Sequence, residues 1–220
     1  MQALIFDLDG TLIDTVYAHV LAWQRALTEG GIRIQGWRIH RRIGMSGGLF
    51  VRALAREIGR EITKDEAKKL QDRHSELFAE YLPEREPLPG AIALLKALRQ
   101  AKVPFGIATS GRRPDINQSL AALELPNDVV VIERNDVAKA KPDPDLFLAC
   151  QKKMNVTANE WFVIGDAVWD LLAARRAGML GVGLLSGGYG EDELSKAGAF
   201  RVYRDAAELH RSLDELGVRL

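Results

Sequence analysis

The chain has 220 residues, of which 47% are hydrophobic and 27% charged, and its 30 basic and 30 acidic residues give a formal net charge of zero. This composition is typical of a globular protein with one large domain, or with a core and a small insert. The balanced charge argues against nucleic acid or an anionic membrane as the main partner. A single cysteine, Cys150, excludes an internal disulfide framework and is interpreted as a buried apolar residue.

The start of the chain predicts neither a leader nor a membrane span. Met1 leads directly into the apolar residues 3–6, without a charged region or a small-residue cleavage site. No run approaches the roughly 18 apolar residues that cross a bilayer. We therefore expect a cytoplasmic protein, a monomer or weak homodimer, with no membrane or nucleic-acid partner. The short basic stretch "RIHRR", 38–42, is interpreted as a solvated face.

Apolar runs along the chain predict the strands of one parallel sheet. They are continuous rather than alternating, which is expected of strands buried on both faces. The predicted strands cover residues 3–6, 103–109, 128–133, 161–166 and 180–185. Helical patterns such as 89–101 and 169–178 separate most of them. The alternation predicts an α/β fold, a Rossmann-like parallel sheet with right-handed crossovers.

Between the first two predicted strands lie about 90 residues without a convincing strand, far more than one crossover helix requires. Three amphipathic stripes fill this interval, and the third begins at a capping box in which Thr63 precedes Glu66 by three residues. The stripes are Val16, Val20, Trp23 and Leu27; Val51, Leu54, Ala55 and Ile58; and Leu70, Leu77, Phe78 and Tyr81. They predict a helical cap over 15–84, between core segments 1–14 and 85–220, with the proline-rich stretch 82–90 as hinge.

Polar side chains follow the predicted strands at the point where each strand ends. In a sheet of this kind, the carboxyl ends of the strands are where ligands bind. Asp7 and Asp9 follow the first strand and Thr109 and Ser110 the second, Lys141 lies beyond the third, and Asp166 ends the fourth, with Asp170 four residues later.

Phosphoryl transfer explains this set of side chains. An ionised Asp7 can attack phosphorus to form an aspartyl phosphate, and Asp9, which faces the same way in extended chain, can protonate the leaving alcohol and later deprotonate water. Gly10 lets the backbone turn sharply near the ligand. Lys141 would neutralise the nucleophile and the phosphoryl oxygens, and the Thr109 hydroxyl would bind the remaining oxygens.

Carboxylate oxygens are ligands of the kind that magnesium prefers, and Asp7 and Asp166, with Asp170 as a further candidate, could supply them. Taken singly, each feature is more often a cap or a turn, but their order along one sheet favours catalysis. A non-catalytic phosphate-binding or receiver-like domain stays an alternative, although it would need neither Asp9 nor a cap.

Four motifs together resemble those of the haloacid dehalogenase-like hydrolases, in the branch with a helical cap after the first strand. They are "FDLDGTL", "ATSG", "KPDPDLF" and "GDAVWDLLAARRAG", and the resemblance covers nearly the whole chain. It implies that Asp7 is the nucleophile and a magnesium ligand. It also implies that Asp9 is the general acid and base and gives a backbone carbonyl to the metal.

The same resemblance implies roles for the later motifs. Thr109, with Ser110 beside it, and Lys141 would hold the phosphate. Asp166 would be the main acidic metal ligand of the fourth motif, with Asp170 supporting it directly or through water. Within the family, the second aspartate of the first motif distinguishes phosphotransferases from dehalogenases, so Asp9 favours a phosphate substrate.

Hydrolysis and mutase chemistry are harder to separate. The stretch "DTVYAHVLAW" is similar to the first cap helix of β-phosphoglucomutases, in which the histidine matching His19 helps to position the acid/base aspartate. A structural His19 at the edge of the apolar stripe is the alternative. Against the mutase, Gly47 stands where β-phosphoglucomutase has an arginine that grips the second phosphate, although Arg42 or Arg52 could compensate. The segment 184–200 looks more like that of phosphoglycolate-type phosphatases.

The sequence therefore predicts a magnesium-dependent phosphatase acting on a small phosphorylated sugar, polyol or acid, with a β-phosphoglucomutase-like mutase as the alternative. The cap loop 44–48 is expected to face the site, with Ser46 as a substrate contact, and a plain connecting turn is the alternative. Its glycines hint at a substrate without a second phosphate.

Overall fold

The computed structural model describes residues 1–220 and contains one six-stranded parallel sheet. The strands are β1 Gln2–Phe6, β2 Phe105–Ala108, β3 Val130–Ile132, β4 Glu160–Gly165, β5 Leu180–Leu184 and β6 Ala199–Tyr203. Their spatial order is β3-β2-β1-β4-β5-β6, and every neighbouring pair is parallel. The predicted α/β fold is confirmed, and β1 lies in the middle of the sheet.

Ten α-helices surround or extend this sheet. They are α1 Val16–Glu29, α2 Gly36–His40, α3 Gly47–Glu57, α4 Lys64–Tyr81, α5 Ala91–Gln100, α6 Asn117–Ala122, α7 Asp145–Met154, α8 Val168–Arg176, α9 Glu191–Ala197 and α10 Ala206–Arg211. Short 3-10 turns cover Arg134–Asp136, Leu185–Gly187 and Leu213–Leu216. None of the helices combines the length and the apolar character needed to cross a bilayer.

Side-chain alternation along β1 explains why the central strands are continuously apolar. Leu4 and Phe6 pack on one face of the sheet with Leu94 of α5. Ile5 packs on the other face with Phe147 of α7. Because helices cover both faces, the central strands are buried after their first residues, such as Gln2 and Glu160, which are not. Burial of this apolar surface stabilises the core. Cys150 belongs to the second cluster and is buried, as its interpretation expected.

The sixth strand is absent from the sequence-based prediction. β6 lies at the edge of the sheet, paired only with β5, and its Phe200 and Arg201 are exposed. Unlike β3 at the other edge, β6 is interrupted by the exposed Arg201 and has no continuous apolar run, so the pattern used for the other five strands does not detect it.

Helices α1 to α4, here called the cap helices, occupy the interval without strands and have a hydrophobic cluster of their own that includes Trp23, Phe50 and Leu70. The Thr63 capping box is present, with Glu66 as its partner. Two expected stripe residues, Ile58 and Tyr81, are 45% and 40% exposed, because they lie at the ends of α3 and α4 where the helix leaves the cluster. The division into cap 15–84 and core stays a prediction.

Candidate active site

Three buried carboxylates meet at the carboxyl ends of β1 and β4. Asp7 directly follows β1, Asp166 directly follows β4, and Asp170 lies in the first turn of α8. Because β1 and β4 are parallel neighbours, the residues that follow them come to the same edge of the sheet. One oxygen from each carboxylate lies within 4.8 Å of the others. The structure therefore brings together three acids that are far apart in the sequence.

A single buried cation, Lys141, joins this cluster. Its Nζ lies 2.5 Å from Oδ1 of Asp7 and 2.8 Å from Oδ1 of Asp170. Both contacts are ion pairs that lack hydrogen-bond geometry, so Lys141 Nζ and Asp170 Oδ1 are buried without a hydrogen-bond partner. Buried polar atoms are normally satisfied, so this cluster retains unused capacity to bind a ligand.

One ammonium group does not neutralise three buried carboxylates. The pKa values of Asp7 and Asp166 are therefore raised. Burial raises the pKa of Asp7 to about 7, although Lys141 opposes the shift. Burial, followed by the charges of Asp170 and Asp7, raises the pKa of Asp166 well above its usual range. Burial lowers the pKa of Lys141, but Asp170 and Asp7 outweigh it and keep the ammonium charged. Clustered, poorly neutralised carboxylate oxygens fit a hard divalent cation such as Mg²⁺.

Asp9 lies beside the cluster and is held by hydroxyl groups. Thr15 donates its hydroxyl hydrogen to Asp9 Oδ1 at 2.9 Å, and the Thr109 hydroxyl lies 3.5 Å from Oδ2. His19 Nε2 is 3.8 Å from Oδ1. Burial alone would raise the pKa of Asp9, but His19 and Thr15 outweigh it and lower the pKa below its usual value. Asp9 is thus a carboxylate with several donors around it.

His19 is aligned by a stack of aromatic rings. Its ring lies 3.8 Å from that of Phe78, and its Nδ1 is 3.1 Å from Nε2 of His74. Trp23 stacks on His74 at 4.1 Å. Burial and then the charge of His19 lower the pKa of His74 well below its usual value, so His74 is neutral. The sequence analysis singled out His19 but missed His74, although its spacing of four residues from Phe78 places both on one face of α4.

The residues after β2 have two different environments. Thr109 is buried, and its hydroxyl accepts a hydrogen bond from the Gly111 N–H at 2.9 Å. Ser110 donates its hydroxyl hydrogen to the Gly44 carbonyl at 2.9 Å, so it connects the core to the cap loop. Both side chains line the same cavity as Asp7.

Gly10 is required by its conformation and by its neighbours. Its φ is +83°, in the left-handed region that favours glycine. A Cβ there would lie 2.5 Å from Val16 and 2.6 Å from Oδ2 of Asp166. The turn after Asp9 can therefore press against the acidic cluster only because residue 10 has no side chain. Thr11, which the sequence analysis missed, donates its hydroxyl hydrogen to Asp166 Oδ1 at 2.9 Å.

A cavity of about 510 Å³ lies between the cap helices and the strand ends. Several residues predicted for the site line it, namely Asp7, Asp9, His19, Ser46, Thr109 and Ser110. Lys141, Asp166, Asp170 and Gly10 are not part of its wall; of these, Lys141 contacts Asp7 directly. The cap loop 44–48 also lines the cavity. Asp7 thus connects the buried acidic cluster to a space that a small molecule can enter.

The protein has a parallel α/β sheet with an acidic cluster at the carboxyl ends of its strands, and inserted helices cover that cluster. This arrangement is typical of hydrolases whose active site is built from aspartates. The model of the haloacid dehalogenase-like hydrolases matches residues 1–178, and the chain belongs to this family. The predicted family is therefore confirmed, and the chain is a hydrolase of this class.

Three similar proteins illustrate the relationship. A phosphoglycolate phosphatase from Rhodospirillum rubrum is 31% identical over 94% of this chain and 89% of its own length. A β-phosphoglucomutase from Bacillus subtilis is also 31% identical, over 95% of this chain and 92% of its own length. The crystal structure of a hydrolase from Pseudomonas syringae has a TM-score of 0.95 and 48% identity, covering 98% of this chain and 99% of that one. Equal identity to a phosphatase and a mutase leaves the two chemistries to be separated by the site.

Proposed function

We propose that the protein is a magnesium-dependent phosphatase that hydrolyses a small phosphorylated metabolite through an aspartyl phosphate on Asp7. The observation that carries this proposal is the position of Asp7, which lines the cavity while its carboxylate lies 2.5 Å from the buried Lys141 ammonium. A carboxylate that lines a ligand cavity and contacts an ammonium group is suited to attack an anionic phosphate.

Two displacements at phosphorus would complete the reaction. In the first, an Asp7 oxygen forms a bond to phosphorus, the bond to the leaving oxygen breaks, and Asp9 donates a proton to that oxygen. In the second, Asp9 takes a proton from water, the water oxygen attacks phosphorus, and the Asp7 carboxylate is released. Lys141 offsets negative charge on Asp7 in both steps, and Thr109 donates a hydrogen bond to phosphoryl oxygens.

The side chains of Asp7, Asp166 and Asp170, with the Asp9 backbone carbonyl, would hold Mg²⁺. When bound, the cation supplies positive charge that offsets repulsion between the carboxylates and the phosphate. The support for this ligand set is the excess of buried carboxylates over Lys141, and Asp170 Oδ1, which has no hydrogen-bond partner. Asp170 would act directly or through water.

The cavity supports a substrate larger than phosphate alone. Its volume of about 510 Å³ lies in the range of small-molecule sites and admits a phosphorylated sugar, polyol or short acid. Ser46, on the cap side, and Ser110 lie in its wall and would contact the substrate. Hydrolysis is the reaction that the phosphoglycolate phosphatase relative is named for. A cytoplasmic location and a monomeric or weakly dimeric state stay predictions.

A phosphosugar mutase is the second candidate, because the β-phosphoglucomutase relative matches 95% of the chain. His19 lies 3.8 Å from Asp9, as the resemblance to the mutase cap helix implies. Against it, residue 47 is glycine, so this position has no guanidinium to retain a bisphosphate intermediate. A mutase would require a sugar bisphosphate primer and would isomerise its substrate without accumulating inorganic phosphate.

The test is a panel of phosphorylated sugars, polyols and short acids, assayed for phosphate release with and without Mg²⁺. Asp7→Asn keeps the size of the side chain but removes the nucleophile, and we expect turnover to fall by about three orders of magnitude or more. Asp192→Asn changes an exposed aspartate of α9 and is the matched control. Full activity of Asp7→Asn would exclude the aspartyl phosphate, and no phosphate release from any substrate would favour a binding domain.

A further inference from the structure

The end of α2 is fastened to the core by three hydrogen bonds, which we call the clasp. His40 Nε2 lies 2.8 Å from the Gly187 carbonyl oxygen. The next residue, Arg41, accepts two hydrogen bonds at its own carbonyl, from Trp169 Nε1 at 3.1 Å and from the Tyr189 hydroxyl at 2.9 Å. Because a carbonyl can only accept, His40 Nε2 carries the hydrogen in this contact.

Side-chain packing reinforces the clasp. The centroid of the His40 ring lies 5.5 Å from that of Tyr17, with the rings stacked, and 5.6 Å from that of Tyr189. The Arg41 guanidinium lies 4.7 Å from the Tyr189 ring and forms an ion pair with Glu193 at 3.0 Å. The interpretation of "RIHRR" as a solvated face is therefore wrong for residues 40 and 41, because they contact the core.

The loop that His40 contacts also forms one wall of the acidic cluster. A Cβ on Gly187 would lie 1.8 Å from Asp166 Oδ2, and a Cβ on Gly10 would lie 2.6 Å from the same oxygen. The carboxylate is thus enclosed between two glycines. Ser186 connects the loop of Gly187 to the loop of Gly10, because it donates its hydroxyl hydrogen to the Gly10 carbonyl at 2.6 Å. Thr11 fixes the other oxygen of Asp166.

We propose that His40 is a positioning residue for the metal site, holding Gly187 against Asp166 so that closure of the cap and binding of a divalent cation stabilise each other. This inference rests on the metal ligands of the proposed function. When the cap helices move away, residues 185–190 lose their contacts with His40 and Arg41, and Asp166 loses support on one side. Coupling of this kind is reciprocal, so a bound cation favours the closed cap as much as closure favours the cation.

The effect of the hydrogen bond from His40 to Gly187 on metal binding can be separated from that of the His40 ring. His40→Phe keeps an aromatic ring beside Tyr17 and Tyr189 but cannot donate to Gly187, whereas His40→Gln restores an N–H donor. Partners outside the ligands themselves tune metal affinity, and one hydrogen bond corresponds to roughly a three- to tenfold change. We therefore expect the Mn²⁺ and Mg²⁺ dissociation constants to rise by about that factor in His40→Phe and in Tyr189→Phe, with partial recovery in His40→Gln.

The measurement is calorimetric titration of the full chain with MnCl₂ and MgCl₂, together with amide hydrogen exchange. Exchange of residues 185–190 should accelerate in His40→Phe, and Mn²⁺ should slow exchange of residues 36–42 in the unaltered protein. Tyr203→Phe is the matched control, since it removes a tyrosine hydroxyl that donates to Glu215, outside the clasp. Its metal affinity should be unchanged.

Equal metal affinity in the unaltered protein, His40→Phe and Tyr189→Phe would overturn the proposal, as would an equal loss in Tyr203→Phe. Both readouts are independent of turnover. If no phosphate ester is hydrolysed but the clasp variants bind metal more weakly, the proposed function fails while the role of His40 stands. If phosphate esters are hydrolysed and the clasp variants bind metal as tightly as the unaltered protein, the proposed function stands and His40 does not position the metal site.

Discussion

Lys141 Nζ lies 2.5 Å from Asp7 Oδ1, and both residues are buried. The lysine comes from the segment after β3 and the aspartate from the end of β1, so the contact depends on the fold being complete. An ion pair removed from water is costly to disrupt on one side, because the remaining charge has no solvent to replace its partner. The ion pair with Asp7 therefore makes Lys141 a residue that stabilises the fold and a candidate catalytic residue.

Lys141→Met should therefore reduce both stability and turnover. Loss of one partner of a buried ion pair costs about 3–5 kcal/mol, and we expect the free energy of unfolding to fall by an amount in that range at neutral pH. Urea denaturation measures the change, and phosphate release measures the loss of activity. Lys139→Met is the matched control, because Lys139 is an exposed lysine of the same segment. Equal stability of the two variants would contradict the assigned burial of the Lys141 charge.

The raised pKa of Asp7 predicts how stability without metal depends on pH. Burial raises that pKa to about 7, so the folded state binds this proton more tightly than the unfolded chain. The resulting stabilisation is fully present below the unfolded pKa of about 4 and is lost as pH rises through about 7. Asp166 shifts in the same direction.

Thermal unfolding in a chelator from acidic to neutral pH measures this dependence. Asp7→Asn should flatten the decline, because asparagine does not titrate. Added Mg²⁺ should raise stability most at the neutral end, where protons compete least with the cation for the carboxylates. A chelated protein whose stability rises steadily over the same interval would have the wrong sign for this site.

His74→Phe tests the alignment of His19. Phenylalanine keeps the aromatic surface against Trp23 but removes the 3.1 Å contact with His19 Nδ1. Because His74 contacts His19 beside Asp9, we expect kcat to fall by about three- to tenfold with little change in KM, even though His74 also lines the cavity. His74→Gln, which can still hydrogen-bond, should retain more activity. A change in KM alone would place His74 in substrate binding instead.

Thr63→Ala tests the capping box of α4. The Thr63 hydroxyl accepts from the Glu66 N–H at 3.2 Å, and Glu66 accepts from the Thr63 N–H at 2.8 Å. Loss of such a cap costs about 1 kcal/mol, and we expect the free energy of unfolding to fall by that amount. Thr157→Ala, another exposed threonine, is the control and should change stability little. Equal effects of the two changes would mean that the cap contributes nothing specific.

Much of the candidate site could be predicted from the sequence, because several of its residues come directly after apolar runs. Asp7, Thr109 and Asp166 each end a strand of a parallel sheet, and such strands bring their carboxyl ends to one edge whatever their separation along the chain. Strand prediction was correct for five strands, including β3 at one edge of the sheet, and failed at β6, where Phe200 is exposed. In β6 the exposed Arg201 interrupts the apolar residues, so the strand lacks the continuous run that burial imposes elsewhere.

Local sequence determined the α/β class, the helices between the first two strands and the acids at the strand ends, because burial and helix capping act over a few neighbouring residues. Only the tertiary structure decided that His40 contacts Gly187, that Gly187 encloses Asp166, and that His74 aligns His19. Those contacts join residues that are 147, 21 and 55 positions apart along the chain and share no sequence motif. Their partners are selected by the packing of one element on another, which leaves no periodic signal in the sequence.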